Sequence, residues 1–183
     1  NMIGFKKVSL NYVLGVFLLL VFFSPTVNSN KDLSEELSYF QSLIGKTYEG
    51  EFAATPQGSS MVDVQYWERI LNGNGIRITH SINDGEYGGE IVIMWDREKE
   101  VLTGWYFTTA GFYTQQKYHI EDDALVSYED VVGNENGITA VRSSTKIIDN
   151  GFHRKTEYFL EEEWVYGHEL FYEEVLDKEV IFK

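Results

Sequence analysis

The sequence predicts an all-β protein, an up-and-down antiparallel meander barrel of about eight to ten strands with one short N-terminal helix. From Lys46 onward, apolar residues recur with a period of two, and turn-forming residues interrupt them at regular intervals. The segments between turns are short, so neighbours in sequence should be neighbours in space. Closing such a sheet into a barrel removes its two exposed edges, which favours a barrel over an open sheet or sandwich.

The N-terminal segment has the layout of a secretory signal peptide. Lys6 and Lys7 precede an apolar run from Val13 to Phe23, and a short polar stretch ends at Ser29. The run is shorter than the roughly 20 residues of a membrane span, so we expect cleavage after Ser29, with an uncleaved anchor as the alternative. Residues 30–183 are then a single domain, exported to the periplasm or the extracellular space and without stable membrane insertion.

Composition narrows the functions that this domain can have. The formal net charge is -14 and the chain has no cysteine. A strongly acidic chain repels phosphate backbones, so we expect no nucleic-acid partner. The absence of cysteine excludes disulfides, thiolate metal sites and thiol catalysis.

A single amphipathic helix is predicted at the start of the domain. Asp32 to Glu35 has the spacing of a capping box, and an apolar stripe follows before Gly45. We expect this helix to pack outside the barrel or to close one of its ends. The stripe consists of Leu33, Leu37, Phe40 and Ile44.

Turn signals after the helix separate ten candidate strands. These are 46–54, 61–71, 76–82, 89–96, 101–109, 112–120, 124–132, 138–148, 152–161 and 164–175. The stretch YFTTAGFYT has no Asn-Gly or Asp-Gly pair, yet it is too long for one strand. We therefore predict a tight reversal or bulge at Thr109–Gly111, with a small-residue patch where a ligand meets the backbone as the alternative.

Polar side chains in the apolar phase of the strands are the candidate functional residues. A charged group inside a dry core costs several kcal/mol unless it is paired, so such groups should satisfy one another or face a wet or occupied cavity. The alternative is that they lie at strand ends in solvent. A slip of register in strand 138–148 would also turn Arg142 inward as a glutamate partner. The candidate ligand-binding residues are Glu68, His80, Trp105, Glu129, Tyr158, His168 and Tyr172.

Several segments resemble the uncharacterised bacterial lipocalin-like proteins of the calycin group, over most of residues 45 to 175. These segments are GKTYEG at the first strand, YWERILNGNGIRITHSIN, GGEIVIMWD, YFTTAGFYT, VVGNENGITAV and WVYGHELFYEE. The resemblance implies a barrel with an interior pocket and no established reaction. The chain also resembles the nitrobindin-like haem barrels in its ten-strand meander and its late His168, although their Gly-x-Trp-x-Gly-x-Gly opening is absent here.

The pattern favours a non-enzymatic protein that binds a small apolar or amphipathic molecule inside the barrel. We expect no cofactor and no metal. The alternatives are an enzyme of the isomerase or cyclase type that uses an interior His–Glu pair as acid and base, a haem-binding barrel, and an interaction protein whose lumen is filled.

Overall fold

A computed structural model describes residues 32–53, 60–133 and 136–183. The predicted signal peptide, residues 1–29, lies outside the described residues. None of the helices in the described part is long and apolar enough to cross a membrane.

The described chain forms a closed antiparallel barrel of ten strands, which confirms the predicted fold class. Each strand pairs with its neighbours in sequence, and β1 pairs with β10 to close the sheet. The strands are β1 Lys46–Glu51, β2 Val62–Ile70, β3 Gly75–Ile82, β4 Tyr87–Asp96, β5 Val101–Thr108, β6 Tyr113–Glu121, β7 Ala124–Asp130, β8 Ala140–Ile148, β9 Gly151–Leu160 and β10 Glu163–Val175.

The predicted reversal in YFTTAGFYT is confirmed as the turn between β5 and β6. Thr108 ends β5, its carbonyl accepts a hydrogen bond from the Gly111 amide at 3.1 Å, and its amide donates to the Phe112 carbonyl at 3.0 Å. Gly111 has φ +83°, a left-handed conformation in which glycine is favoured. One glycine therefore replaces the Asn-Gly pair that marks most tight hairpins.

The predicted helix is a 3-10 helix, Glu35–Leu43, and it closes one end of the barrel. Its fully buried residues Leu37, Phe40 and Leu43 are three apart, which is the period of a 3-10 helix. The Phe40 ring lies 5.8 Å from the ring of Trp67 inside the barrel. Leu43 thus takes the place expected for Ile44, which is only half-buried.

The predicted capping box is wrong. Ser34 occupies the N-cap but its side chain makes no capping hydrogen bond. Instead, the backbone amide of Ser34 donates to the Gly73 carbonyl at 2.9 Å. This tertiary hydrogen bond fixes the start of the helix to the β2–β3 turn, and the Ser34 side chain does not cap the helix.

The inward phase differs from the prediction on two strands. On β2 the inward residues are Asp63, Gln65 and Trp67, and the more apolar phase that includes Tyr66 faces outward. On β5 the inward phase includes Leu102 and Tyr106, because these pair with the inward residues of β4. Both phases of β5 are rich in apolar residues, so alternation alone cannot choose between them.

A register shift on β10 changes its phase partway along the strand. The shift lies between Tyr166 and His168. His168 and Tyr172 line the interior, whereas Tyr166 is 62% exposed on the outer face. A bulge of this kind places an extra residue in one strand and reverses which residues face inward beyond it.

The C-terminal segment after β10 covers part of the outer wall. The Ile181 amide donates to Ser81 Oγ at 3.1 Å, and Lys178 forms an ion pair with Glu49 at 3.0 Å. Ser81 pairs with Val64, and both are buried although they face away from the lumen. This cover explains why the outward phase of β2 is apolar.

Candidate ligand-binding cavity

The barrel is packed at the end closed by the 3-10 helix and hollow towards the other. Phe40, Trp67, Ile93 and Phe152 belong to the buried cluster at the packed end. Beyond them lies a cavity of about 1160 Å³, so the lumen is not filled. Its rim is formed by residues of the β5–β6 and β7–β8 loops, among them Phe112 and Val132. The predicted interior pocket is therefore present as an open cavity inside the barrel.

His80 sits in a hydrogen-bonded chain on the cavity wall. Its Nδ1 lies 2.9 Å from Asp63 Oδ1, and its Nε2 lies 2.8 Å from the Tyr106 hydroxyl. The Tyr106 hydroxyl in turn lies 3.0 Å from that of Tyr87. The four groups come from β2, β3, β5 and β4, and β-sheet pairing brings them together. Burial raises the pKa of Tyr106, and its bond to Tyr87 raises it further.

Asp63 is the buried anchor of this chain. Its Oδ2 accepts hydrogen bonds from Gln65 Nε2 at 2.7 Å and from the Tyr172 hydroxyl at 2.8 Å. The residue is 3% exposed, so its carboxylate depends on these donors and on His80 for the hydrogen bonds that water would otherwise make. Burial, followed by the charge of Asp63, raises the pKa of Tyr172 and keeps its hydroxyl protonated as a donor.

His168 belongs to a second, separate group. Its Nδ1 lies 3.1 Å from the Tyr158 hydroxyl, and its ring packs at 5.2 Å from that of Phe52. Burial lowers the pKa of His168 below the usual 6.5, and the charge of Arg154 lowers it further. His168 is therefore a neutral imidazole at pH 7.

Arg154 is an inward-facing cation on β9 that lines the cavity. Its Nε donates to Thr145 Oγ1 at 3.1 Å, and its guanidinium lies 5.4 Å from the centre of the Phe152 ring and 5.8 Å from that of Tyr172. Among the ion pairs of the described residues, none includes Arg154. The interior therefore holds a positive charge without a direct carboxylate partner.

Five of the seven predicted site residues line this one cavity: His80, Glu129, Tyr158, His168 and Tyr172. His80 and His168 thus share a cavity, although they belong to different hydrogen-bonded groups. The predicted interior His–Glu pair is not formed, because His80 bonds to Asp63 and Glu129 accepts from Gln116 at 2.9 Å.

The expected interior positions of Glu68 and Trp105 are wrong. Glu68 faces outward and accepts a hydrogen bond from Arg77 Nε at 2.8 Å. Trp105 is outward because its neighbour Tyr106 faces the cavity. Arg142 also faces outward and pairs with Glu157 at 2.7 Å, so the slipped register of β8 does not occur.

Sequence reasoning missed Asp63, Tyr106 and Arg154. A usable signal existed for Arg154, which lies two residues after Phe152 in the inward phase of β9. Asp63 could not be found from alternation, since the covered outer wall of β2 made the opposite phase more apolar. The described residues contain no group of three or more His, Asp or Glu side chains arranged to hold a metal ion.

Comparison with known proteins supports the fold. The chain is similar to a solved structure, the crystal structure of Rv2717c from M. tuberculosis, with a TM-score of 0.54 and 10% sequence identity, over 79% of this chain and 100% of that chain. Neither a family model nor a curated protein matches the sequence. A likeness at this identity shows a shared fold and leaves the function to be argued from the site. The chain is a closed antiparallel barrel that fits the calycin-like architecture loosely.

Proposed function

We propose that this protein is a calycin-like binding protein that holds a small, largely apolar or amphipathic molecule inside its barrel. The observation that carries this proposal is the cavity of about 1160 Å³, which is as large as the sites that enclose drug-sized ligands in other proteins. Ile78, Ile91 and Val141 supply apolar wall, and the two histidine groups supply directed polar atoms. Mostly apolar walls with a few convergent polar groups are typical of ligand sites.

Native mass spectrometry of the protein purified from its own host tests this function. We expect an additional mass that is retained in the folded protein and released on unfolding. His80→Phe and His168→Phe should lose that mass while the barrel stays folded, because each keeps an aromatic body and removes the ring nitrogens. Glu68→Gln is the matched control, since Glu68 lies on the outer wall. A protein that carries no extra mass and takes up no apolar probe would refute the proposal.

We further propose that the protein acts after export. The layout of residues 1–29 supports this, with two lysines followed by an apolar run and a polar stretch. Intact-mass measurement of the protein from its own host should give a mature chain that begins at Asn30. A chain that retains residues 1–29 would contradict cleavage.

Haem binding is a second candidate function, and the neutral imidazole of His168 favours it. An iron ligand must be a neutral imidazole, and a hydrogen bond at one ring nitrogen commonly orients the other for the metal. The Nδ1 of His168 is engaged by Tyr158, while its Nε2 has no hydrogen bond to a described residue. Added haemin should then give a Soret band that His168→Ala abolishes and His153→Ala, on the outer wall, preserves. An unchanged spectrum in His168→Ala would exclude His168 as the ligand.

A further inference from the structure

The chain of hydrogen bonds through His80 runs from a buried carboxylate to a hydroxyl at the cavity. It begins at Asp63, passes through His80 and Tyr106, and ends at Tyr87, with successive distances of 2.9, 2.8 and 3.0 Å. Tyr87 lines the cavity, and its hydroxyl makes no other hydrogen bond to a described residue. The Tyr87 hydroxyl is thus the end of this hydrogen-bonded chain that faces the cavity.

The hydrogen bonds at the two ends of this chain set its direction. Asp63 Oδ2 accepts from Gln65 and Tyr172, and Asp63 Oδ1 forms the hydrogen bond with His80 Nδ1. The geometry has Tyr106 donating its single proton to the Tyr87 oxygen. The Tyr106 oxygen is then free to accept a hydrogen bond from His80 Nε2, which lies 2.8 Å away.

The Tyr87 hydroxyl keeps its own proton, and no hydrogen bond within the described residues uses it, so this proton is available to a group in the cavity. A hydroxyl that both accepts and donates a hydrogen bond is a stronger donor than an isolated one, and the Tyr106 hydroxyl lies between His80 and Tyr87 in this way. Burial and the bond to Tyr87 raise the pKa of Tyr106, so Tyr106 stays protonated and passes on this polarisation. A donor of this kind is suited to an oxygen that carries negative charge.

We propose that the Tyr87 end of this chain binds the ionised oxygen of a phenol or enol, so that the ligand is held as its phenolate or enolate. The inference rests on the proposed binding function and names the chemistry of its ligand. The titratable and charged groups that face the site are Asp63 with its partner His80, Glu129 from β7, which opposes an anion, and Arg154 from β9, which favours one. Tyr172 and Tyr106 are neutral donors in the same wall.

An alkyl-substituted para-nitrophenol tests the proposal, because its phenol and phenolate forms absorb at different wavelengths. Bound to the wild-type protein, the probe should ionise at a pH lower by about one unit or more, which is about a tenfold preference for the phenolate. Tyr87→Phe should bind the probe but lose most of this shift. His80→Gln should weaken the shift as well, since the imidazole that joins Asp63 to Tyr106 is removed.

Two control variants distinguish this site from other sources of the same effect. Tyr166→Phe removes a tyrosine hydroxyl on the outer wall of the barrel and should keep the shift. Arg154→Met removes the unpaired cation, and a shift that persists in this variant supports Tyr87. A shift lost in Arg154→Met but kept in Tyr87→Phe would overturn the assignment. Thermal unfolding of each variant checks that the barrel is folded.

Failure of the proposal differs from failure of the binding function. If the probe binds with an unshifted titration, the oxyanion site is refuted and the binding function stands. If the probe does not bind while native mass spectrometry shows a retained molecule, the phenolate or enolate class is refuted. If neither the probe nor any retained molecule is found, both proposals fall.

Discussion

Single residues inside the barrel are stabilised by partners from distant strands. Asp63 on β2 accepts from Tyr172 on β10, and Tyr172 also stacks on Phe152 of β9 with ring centres 4.4 Å apart. A buried carboxylate that lost this donor would keep its desolvation cost and lose part of its compensation. The polar interior therefore specifies the relative positions of several strands as well as offering groups to a ligand.

The protonation of His168 couples stability to pH. Burial, and then the charge of Arg154, lowers the pKa of His168 in the folded protein. Between pH 6.5 and this lower pKa, the histidine is protonated in the unfolded chain and neutral in the folded protein. Stability should therefore fall as pH drops from 6.5 towards the folded pKa, and no further below it. Because the side chain is only half-buried, solvent screens its charge and we expect this loss to be small.

Urea unfolding at a series of pH values checks this dependence with His168→Gln. The stability of the variant relative to wild type should rise as the pH falls from 7 to about 5, since glutamine does not titrate. His153→Gln, which replaces a histidine on the outer wall of β9, is the control. A difference between wild type and His168→Gln that stays constant over this range would contradict the prediction.

The strands and turns could be predicted from the sequence because short residue patterns determine where they lie. Turn residues and period-two alternation were enough to find ten strands close to their observed bounds. Which face of a strand points inward depends on distant parts of the chain. The C-terminal segment covers the outer wall of β2, and the β10 bulge separates Tyr166 from His168. This is why His80 was placed correctly and Glu68 was not.

The β5–β6 turn depends on a backbone conformation that glycine adopts easily. No atom outside its chain neighbours lies within 4 Å of the position where a Cβ would be added to Gly111, and its φ is +83°. A substitution at Gly111 therefore destabilises the protein through the backbone conformation and not through a steric clash. Gly111→Val should destabilise the protein by about 1 kcal/mol or more, because a β-branched residue tolerates positive φ badly.

Chemical denaturation of paired variants measures this effect. Gly111→Asn should cost less than Gly111→Val, since asparagine is the residue after glycine that best tolerates the left-handed region. Equal stabilities for wild type and Gly111→Val would show that the turn can form in another conformation.

The whole molecule combines a packed half with a hollow half, and its closure depends on the seam between β1 and β10. Gly50 of β1 pairs with Tyr172 of β10 at this seam. The Tyr172 ring lies against the Gly50 backbone and also reaches Asp63 and Gln65 across the cavity wall. Barrel closure and the polar network around His80 are thus linked through one tyrosine.

Gly50→Val should open this seam. A Cβ at Gly50 would lie 2.8 Å from the Tyr172 ring, which cannot move aside without leaving Phe152 and Asp63. We expect a loss of about 1–3 kcal/mol, as for other overpacked sites, and faster amide hydrogen exchange in β1 and β10 together. Gly50→Ala gives the smaller step should the valine variant not fold. Thr47→Val, an outward position on the same strand, is the control and should leave exchange unchanged. Faster exchange confined to β1, or spread evenly over all ten strands, would show that this contact does not hold the barrel closed.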